Sequence, residues 1–475
     1  MSREKQLVKN TLIITIGKIS TQFISFLLLP LYTALLTTEE YGIIDIVSTY
    51  INLIIPLITL QIEQAIFRFL VDVRDNPKEE KEIISTVFVF LAGILIVMLI
   101  VFLILNNFID VNYKYLVCAN MISTMFFIIT LQVSRGKGVN QVYAATSLLN
   151  TSINIISNIV LIAILKMGMN GMFISVFIAN IISIIYLFAR LDLIKSISLK
   201  AYSSDKLKQM LKYSCPLVPN GISWWVVGVS DRTIISSVLS LSMNGIYSIA
   251  NKFSNIYITV YNIFNISWTE TASMHINDKD RDDFFSKVIN ISLKFFISMG
   301  LVIIVSLPLV INLLIAKEYT SAYNQIPILI IAGMFNIVSA MLGGIYVACK
   351  ITSKISSTSI IAAIINIVIN LVLIKRIGLY AASISTFVSY FVMAVMRWVD
   401  LKKYVGLKID KKMILFFAGM LIFNVSLYYI NNATLNIINF ILTLTVVAIV
   451  NKQIIRKIID KAISICNIKL KIKEL

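Results

Sequence analysis

Long, almost uninterrupted apolar runs recur along the whole chain, and this constrains the fold more than any other feature. A membrane-crossing helix needs about 20 mainly apolar residues. Runs of that kind occur near 11–36, 41–71, 83–106, 113–133, 142–166 and 168–190, and again near 213–240, 244–272, 287–314, 322–348, 355–377 and 378–400. A last pair lies near 412–432 and 434–454. With 58% hydrophobic and 14% charged residues among 475, the chain is too apolar for a soluble domain. The expected fold class is therefore an all-α polytopic membrane protein of about 14 transmembrane helices.

The charges that remain are informative by position. A surplus of 42 Lys and Arg over 24 Asp and Glu could serve nucleic acid, but these cations sit between apolar runs, so no nucleic-acid partner is expected. With the N-terminus inside, 33 cations fall in cytoplasmic segments and 5 outside (Lys114, Lys166, Lys317, Lys375 and Arg376). Four lie within spans: Lys18, Arg232, Lys252 and Lys294. The bias predicts a multi-pass membrane protein with both termini in the cytoplasm. The first run is too long for a cleavable signal and lacks a small-residue cleavage site. One histidine (His275) and four scattered cysteines (Cys118, Cys215, Cys349 and Cys466) offer neither metal-ligand spacing nor a disulfide framework, and no nucleotide loop occurs, so no cofactor is expected.

The chain repeats itself. A shift of 203 residues aligns YGIIDIVSTYINLI (41–54) with NGIYSIANKFSNIY (244–257), and KIS (18–20) with GIS (221–223). NIISNIVLIAILKMGMNGMFIS (154–175) matches NIVINLVLIKRIGLYAASIS (366–385). Spans 1–6 and 7–12 thus read as copies. Six is even, so both copies enter the membrane in the same direction, which predicts two six-helix lobes related by a pseudo-twofold along the membrane normal. The expected domains are an N-terminal lobe (1–190), a basic cytoplasmic connector (191–212), a C-terminal lobe (213–403), an extra helix pair (404–454) and a basic amphipathic cytoplasmic tail (455–475), which reads either as a segment lying on the inner leaflet or as an ordinary positive-inside anchor.

Polar residues form stripes on four of these spans. Asp45, Thr49, Asn52, Pro56, Thr59 and Glu63 recur every three or four residues. Their copies are Ser248, Lys252, Asn255, Thr259, Asn262 and Ile266. Span 1 carries Thr11, Thr15, Lys18, Gln22 and Ser25, and span 7 carries Gly221, Trp225, Gly228 and Arg232. Lipid rejects such faces, so they predict a shared polar cavity; interhelical packing is the plainer reading for the uncharged members. A short turn is expected at Met243–Asn244–Gly245. Lys18, Gln22, Asn52, Trp225, Arg232, Lys252 and Asn255 are candidates for a substrate site, with cations suited to phosphate, amides and the indole to sugar. Asp231, Asp45 and Glu63 are candidates for charge balance or ion coupling, Glu63 as a partner of Lys18 and Asp231 as a partner of a cation on a neighbouring helix. Trp224 and Trp225 could stack on sugar rings, whereas Trp268 reads as an interfacial anchor and Lys294 as a snorkelling residue.

The string SDRTIISSVLSLSMNGIYSIANKF (230–253), the Glu-Tyr-Gly at 40–42 and the paired Asn repeats resemble bacterial polysaccharide-biosynthesis flippases. These form the O-antigen and capsule repeat-unit branch of the multidrug/oligosaccharidyl-lipid/polysaccharide exporter superfamily. The resemblance runs over about residues 5–400; Ser236, Ser237, Ser240 and Asn244 depart from its small or apolar residues. It implies a V-shaped two-lobed fold and a substrate of undecaprenyl-pyrophosphate-linked oligosaccharide, with membrane lipids and the pathway's polymerase and chain-length proteins as partners. It also implies a lipid-open crevice for the prenyl tail, transport by alternating access rather than enzymatic catalysis, and Asp231–Arg232 as the family's matching pair. A lipid II flippase or a multidrug exporter of the same superfamily is the alternative; short outer loops argue against a membrane sugar polymerase or glycosyltransferase.

Overall fold

The computed structural model describes residues 26–74, 76–452 and 456, with the side chains at 220, 221, 223, 224, 226–228, 266 and 352 excepted. Lys18, Gln22, the span 1 stripe through Ser25 and nearly all of the tail lie outside these residues, as do the side chains of Trp224, Gly221 and Gly228. The described residues contain helices and no strand. In order they are α1 (Leu29–Leu35), α2 (Thr38–Ile58), α3 (Ile62–Asp72), α4 (Pro77–Leu105), α5 (Lys114–Gly136), α6 (Asn140–Asn158), α7 (Gly168–Arg190), α8 (Leu193–Ser196) and α9 (Ser204–Ser214). Then follow α10 (Val218–Val238), α11 (Leu241–Met274), α12 (Arg281–Leu314), α13 (Ile326–Ala348), α14 (Thr352–Ile377), α15 (Leu379–Leu401), α16 (Lys411–Ile430) and α17 (Ala433–Val450).

Eleven of these helices, counting α6 with its continuation to Ile164, are long and apolar enough to cross a membrane. Helices α10 and α11 are long enough, at 21 and 34 residues, but stand outside that set. They carry Asp231, Arg232, Lys252 and many hydroxyl and amide side chains, which is the composition expected of helices facing a polar interior. The expected total of fourteen adds these two and the first span, most of which lies outside the described residues.

Local sequence explains where the helices start. Thr37 caps α2 in a reciprocal box: its hydroxyl accepts from Glu40 N and the Glu40 carboxylate accepts from Thr37 N. Asn76, Asp410 and Asn432 cap α4, α16 and α17 through their side-chain oxygens. Ser240 Oγ accepts from Met243 N, so the reversal between α10 and α11 falls at Leu239–Ser240 and Met243–Gly245 is already helical. This corrects the expected turn: Gly245 serves a close approach, described below.

The continuous second span expected over 41–71 is broken. Pro56 withholds an N–H inside α2, Thr59 bonds back to Ile55 O at 2.8 Å, and Leu60 and Gln61 take left-handed backbones (φ 53° and 54°). Helix α3 restarts at Ile62, so Glu63 belongs to a different helix from Asp45. The Gln61 side chain fixes the break by donating to Leu217 O at 3.2 Å.

Two compact units result. The first runs to Lys252 and includes Glu318–Thr320 and Ala363–Ala382. Its core packs Ile51, Ile66, Leu91, Met125, Ile129 and Leu187 with Met210 of the amphipathic α9. The second unit holds Phe253–Lys317, Ser321–Ala362 and the chain from Ser383. There Trp268 is 2% exposed and donates from its indole to Met341 O at 2.9 Å. Gly344 leaves room for that ring, since an added Cβ would lie 2.9 Å from it. Trp268 is thus a core residue rather than an interfacial anchor.

Candidate functional site

The site is built where α2 meets the start of α11, both within the first unit. A Cβ on Gly42 would lie 1.8 Å from Leu241 O, and one on Gly245 would lie 2.0 Å from Thr38 O. Residues 38 and 42 become 241 and 245 under the 203-residue shift, so each member of the contact touches the copy of the other's partner. Such reciprocity is the mark of a twofold contact. Thr38 and Ser242 hydroxyls meet at 2.6 Å beside it.

One helical turn further, Asp45 meets its own copy: Ser248 Oγ donates to Asp45 Oδ1 at 2.6 Å. Asn244 Nδ2 donates to Gly42 O at 3.1 Å and to Asp45 Oδ2 at 3.3 Å. Arg232 Nε lies 3.3 Å from the same Oδ2, with the two side chains 18% and 14% exposed. Arg232 Nη1 also donates to Thr49 Oγ1 at 3.3 Å, and Trp225 Nε1 to Thr49 O at 3.0 Å. The Trp225 ring leans on Tyr50 at 6.0 Å between centroids. Lys252, the copy of Thr49, lies within Coulombic range of both Asp45 and Arg232. The cluster therefore holds two cations and one carboxylate in a part-buried setting, where low dielectric magnifies charge.

Asp231, next in sequence to Arg232, points elsewhere. Tyr247 donates to its Oδ2 at 3.1 Å and Asn370 to its Oδ1 at 2.9 Å. Ser230 and Asn366 repeat the pattern one position back, at 3.2 Å. The second Asn-rich repeat thus binds α14 to α10. The carboxylate that pairs with Arg232 is Asp45, and Asp231 receives a phenol and an amide. Glu63 is buried against Thr59 Oγ1 at 3.2 Å, apart from the Asp45 cluster on its own helix, and its expected partner Lys18 lies outside the described residues. Asn52 and Asn255, copies of each other, are both exposed.

Tyr319 completes this end of the first unit. Its hydroxyl donates to Leu36 O at 3.0 Å and Thr37 O at 2.8 Å, and its ring meets Tyr41 edge-on at 6.2 Å. Burial, more than the nearby Tyr41 and glutamates, raises its pKa well above the ordinary tyrosine value, so it remains a donor. Tyr319 escaped the sequence reading because it lies in a short loop with no periodic signal.

Arg397 was also missed. Its place near a span end put it among the cytoplasmic cations, yet it is 4% exposed in the second unit. It donates to Thr358 Oγ1 (3.0 Å), Ser339 O (2.7 Å), Ser359 Oγ (3.0 Å) and Ile355 O (3.3 Å), tying α13, α14 and α15 together. Its position inside an apolar run was the available signal. No group of three or more His, Cys, Asp or Glu suited to a metal occurs among the described residues.

Asp45, Arg232 and Lys252 thus gather beside a close crossing of two repeat-related helices in a helical membrane protein. Solved structures share its fold. One is a lipid II flippase, MurJ, in an inward closed conformation: TM-score 0.67, 15% identity, 95% of this chain and 100% of that one. Another is an inward-facing multidrug resistance MATE family transporter of the MOP superfamily: TM-score 0.67, 12% identity, 81% and 96% covered. A third is a variant of the Vibrio cholerae MATE transporter VcmN: TM-score 0.57, 13% identity, 84% and 96% covered. No curated protein sequence matches the chain. The model of the family described as polysaccharide biosynthesis protein matches residues 7–268, and the chain belongs to that family.

Proposed function

We propose that the chain is a flippase for undecaprenyl-pyrophosphate-linked oligosaccharide. It would carry repeat units from the inner to the outer leaflet of the bacterial cytoplasmic membrane for O-antigen, capsule or related surface polymer. The observation that carries this reading is the Asp45–Arg232–Lys252 cluster at the repeat crossing of a polysaccharide-biosynthesis chain. A pyrophosphate is costly to desolvate, and one carboxylate paired with Arg232 beside Lys252 leaves a net positive charge to receive it. Arg232 offers a planar fork, Lys252 a point charge, and Trp225 and Asn52 offer surface for sugar. Asp231 and Glu63 are proposed to sense an ion or proton during the cycle. On this account the protein transports and does not catalyse, the lobes 1–190 and 213–403 move against each other, and the pathway's polymerase receives the product. The fold shared with MurJ favours lipid II as the second substrate to consider.

Complementation tests it. In a strain lacking this transporter, Arg232→Ala and Lys252→Ala should each abolish polymer export at matched membrane levels, while Arg232→Lys restores part of it. Wild-type export by both alanine variants would overturn the site. Rescue of a strain lacking its lipid II flippase, without polymer export, would move the substrate to lipid II.

A further inference from the structure

The first unit carries an apolar groove of about 1000 Å³ that takes no part in the Asp45 cluster. Helix α4 forms one wall from Val89 to Leu105, with α2 and α5 opposite. Tyr202 and Leu207 stand at one end and Lys114 at the other. Val97 and Val101 of the same wall are 61% and 46% exposed, so the groove opens to the surroundings of α4. Those surroundings are lipid, because α4 is apolar on every face from Val87 to Leu105.

Three features define what fits. The first is length. The sixteen helical steps from Val89 to Leu105 rise about 24 Å, against about 30 Å for a whole hydrocarbon core. An acyl chain anchored in one leaflet spans roughly half that core, whereas a long isoprenoid chain reaches through both leaflets.

The second is Gly93. An added Cβ would meet nothing within 4 Å, so no close contact requires glycine there. Glycine weakens a helix interior by about 1 kcal/mol relative to alanine. Here the missing side chain widens the groove at mid-wall.

The third is charge. Lys114 donates to Asn106 O at 2.7 Å and Ile109 O at 2.8 Å, which uses two of its three N–H donors. It has no carboxylate within ion-pair distance among the described residues. A cation held in place at the end of an apolar groove suits a lipid phosphate.

We infer that this groove docks the undecaprenyl chain of the lipid-linked substrate, with the phosphate end at Lys114, an inference that rests on the flippase reading above. The test places p-benzoylphenylalanine at Val97 of the full-length protein in phosphatidylglycerol vesicles containing labelled undecaprenyl phosphate. Illumination should join the protein to the prenyl lipid. Gly93→Trp should abolish the product and Gly93→Ala preserve it. Lys114→Ala should weaken capture of undecaprenyl phosphate about tenfold, the loss of one charge-assisted contact, and leave capture of undecaprenol unchanged.

A photoproduct with phosphatidylglycerol alone, or one indifferent to Gly93→Trp, overturns the assignment. If the wild type flips a labelled lipid-linked oligosaccharide yet gives no prenyl photoproduct, the groove fails and the flippase reading stands. If the photoproduct forms without flipping, the flippase reading fails and the groove remains a prenyl-lipid site.

Discussion

Asp45 does the most at the level of single residues. One carboxylate receives Arg232, Asn244 and Ser248, and through Arg232 it fixes Thr49. Removing its charge leaves Arg232 part-buried and unmatched, which costs more than the pair is worth. Asp45→Asn should therefore lower thermal stability more than Arg232→Ala does from an Asp45→Asn background. A double-mutant cycle on melting temperature checks this, and additive losses would show the pair to be uncoupled. Arg397 makes the opposite case, a buried cation satisfied by neutral oxygens. Arg397→Met should cost about 3 kcal/mol by orphaning those acceptors, seen as an earlier unfolding midpoint.

The sequence disclosed these residues unevenly. Asp45, Trp225, Arg232 and Lys252 were legible because charge or polarity inside an apolar run is costly. Which carboxylate would pair with Arg232 was not, since Asp231 is its neighbour in sequence and Asp45 only in space.

At the level of elements, the repeat explains the crossing of α2 and α11. Gly42 and Gly245 let the two backbones touch, and Thr38 and Ser242 flank them. Gly245→Ala must push the helices apart, because its Cβ would meet a carbonyl oxygen at 2.0 Å. With the native cysteines replaced, Thr38→Cys and Ser242→Cys should oxidise rapidly to a disulfide, and Gly245→Ala should slow this sharply. Equal rates would mean that the crossing tolerates a side chain. Periodicity located α2 and α11 but missed the break at Leu60–Gln61. A proline and a threonine inside an apolar helix are ordinary, and only tertiary contacts such as Gln61 to Leu217 O decide that the helix ends there.

For the whole molecule, long apolar runs alone foretold a helical membrane protein, and the family match and shared fold agree with that reading. Orientation rests on the distribution of Lys and Arg. Cysteines placed at Thr38, Asn107 and Asn432 should react with an impermeant thiol reagent from outside, and those at Lys206 and Lys403 only after permeabilisation. Labelling at Lys206 from outside would reverse the topology and with it the direction of transport.

The central claim is that the protein moves a lipid-linked oligosaccharide across a bilayer through the Arg232–Lys252 site. Proteoliposomes loaded with a fluorescent undecaprenyl-pyrophosphate oligosaccharide test it directly, with an external quencher reporting the fraction of lipid that reaches the outer leaflet. The wild type should expose the whole labelled pool over time, whereas Arg232→Ala and Lys252→Ala vesicles should expose only the share already outside. Quenching by the wild type that stops at that same share, in vesicles shown to contain folded protein, would contradict the account.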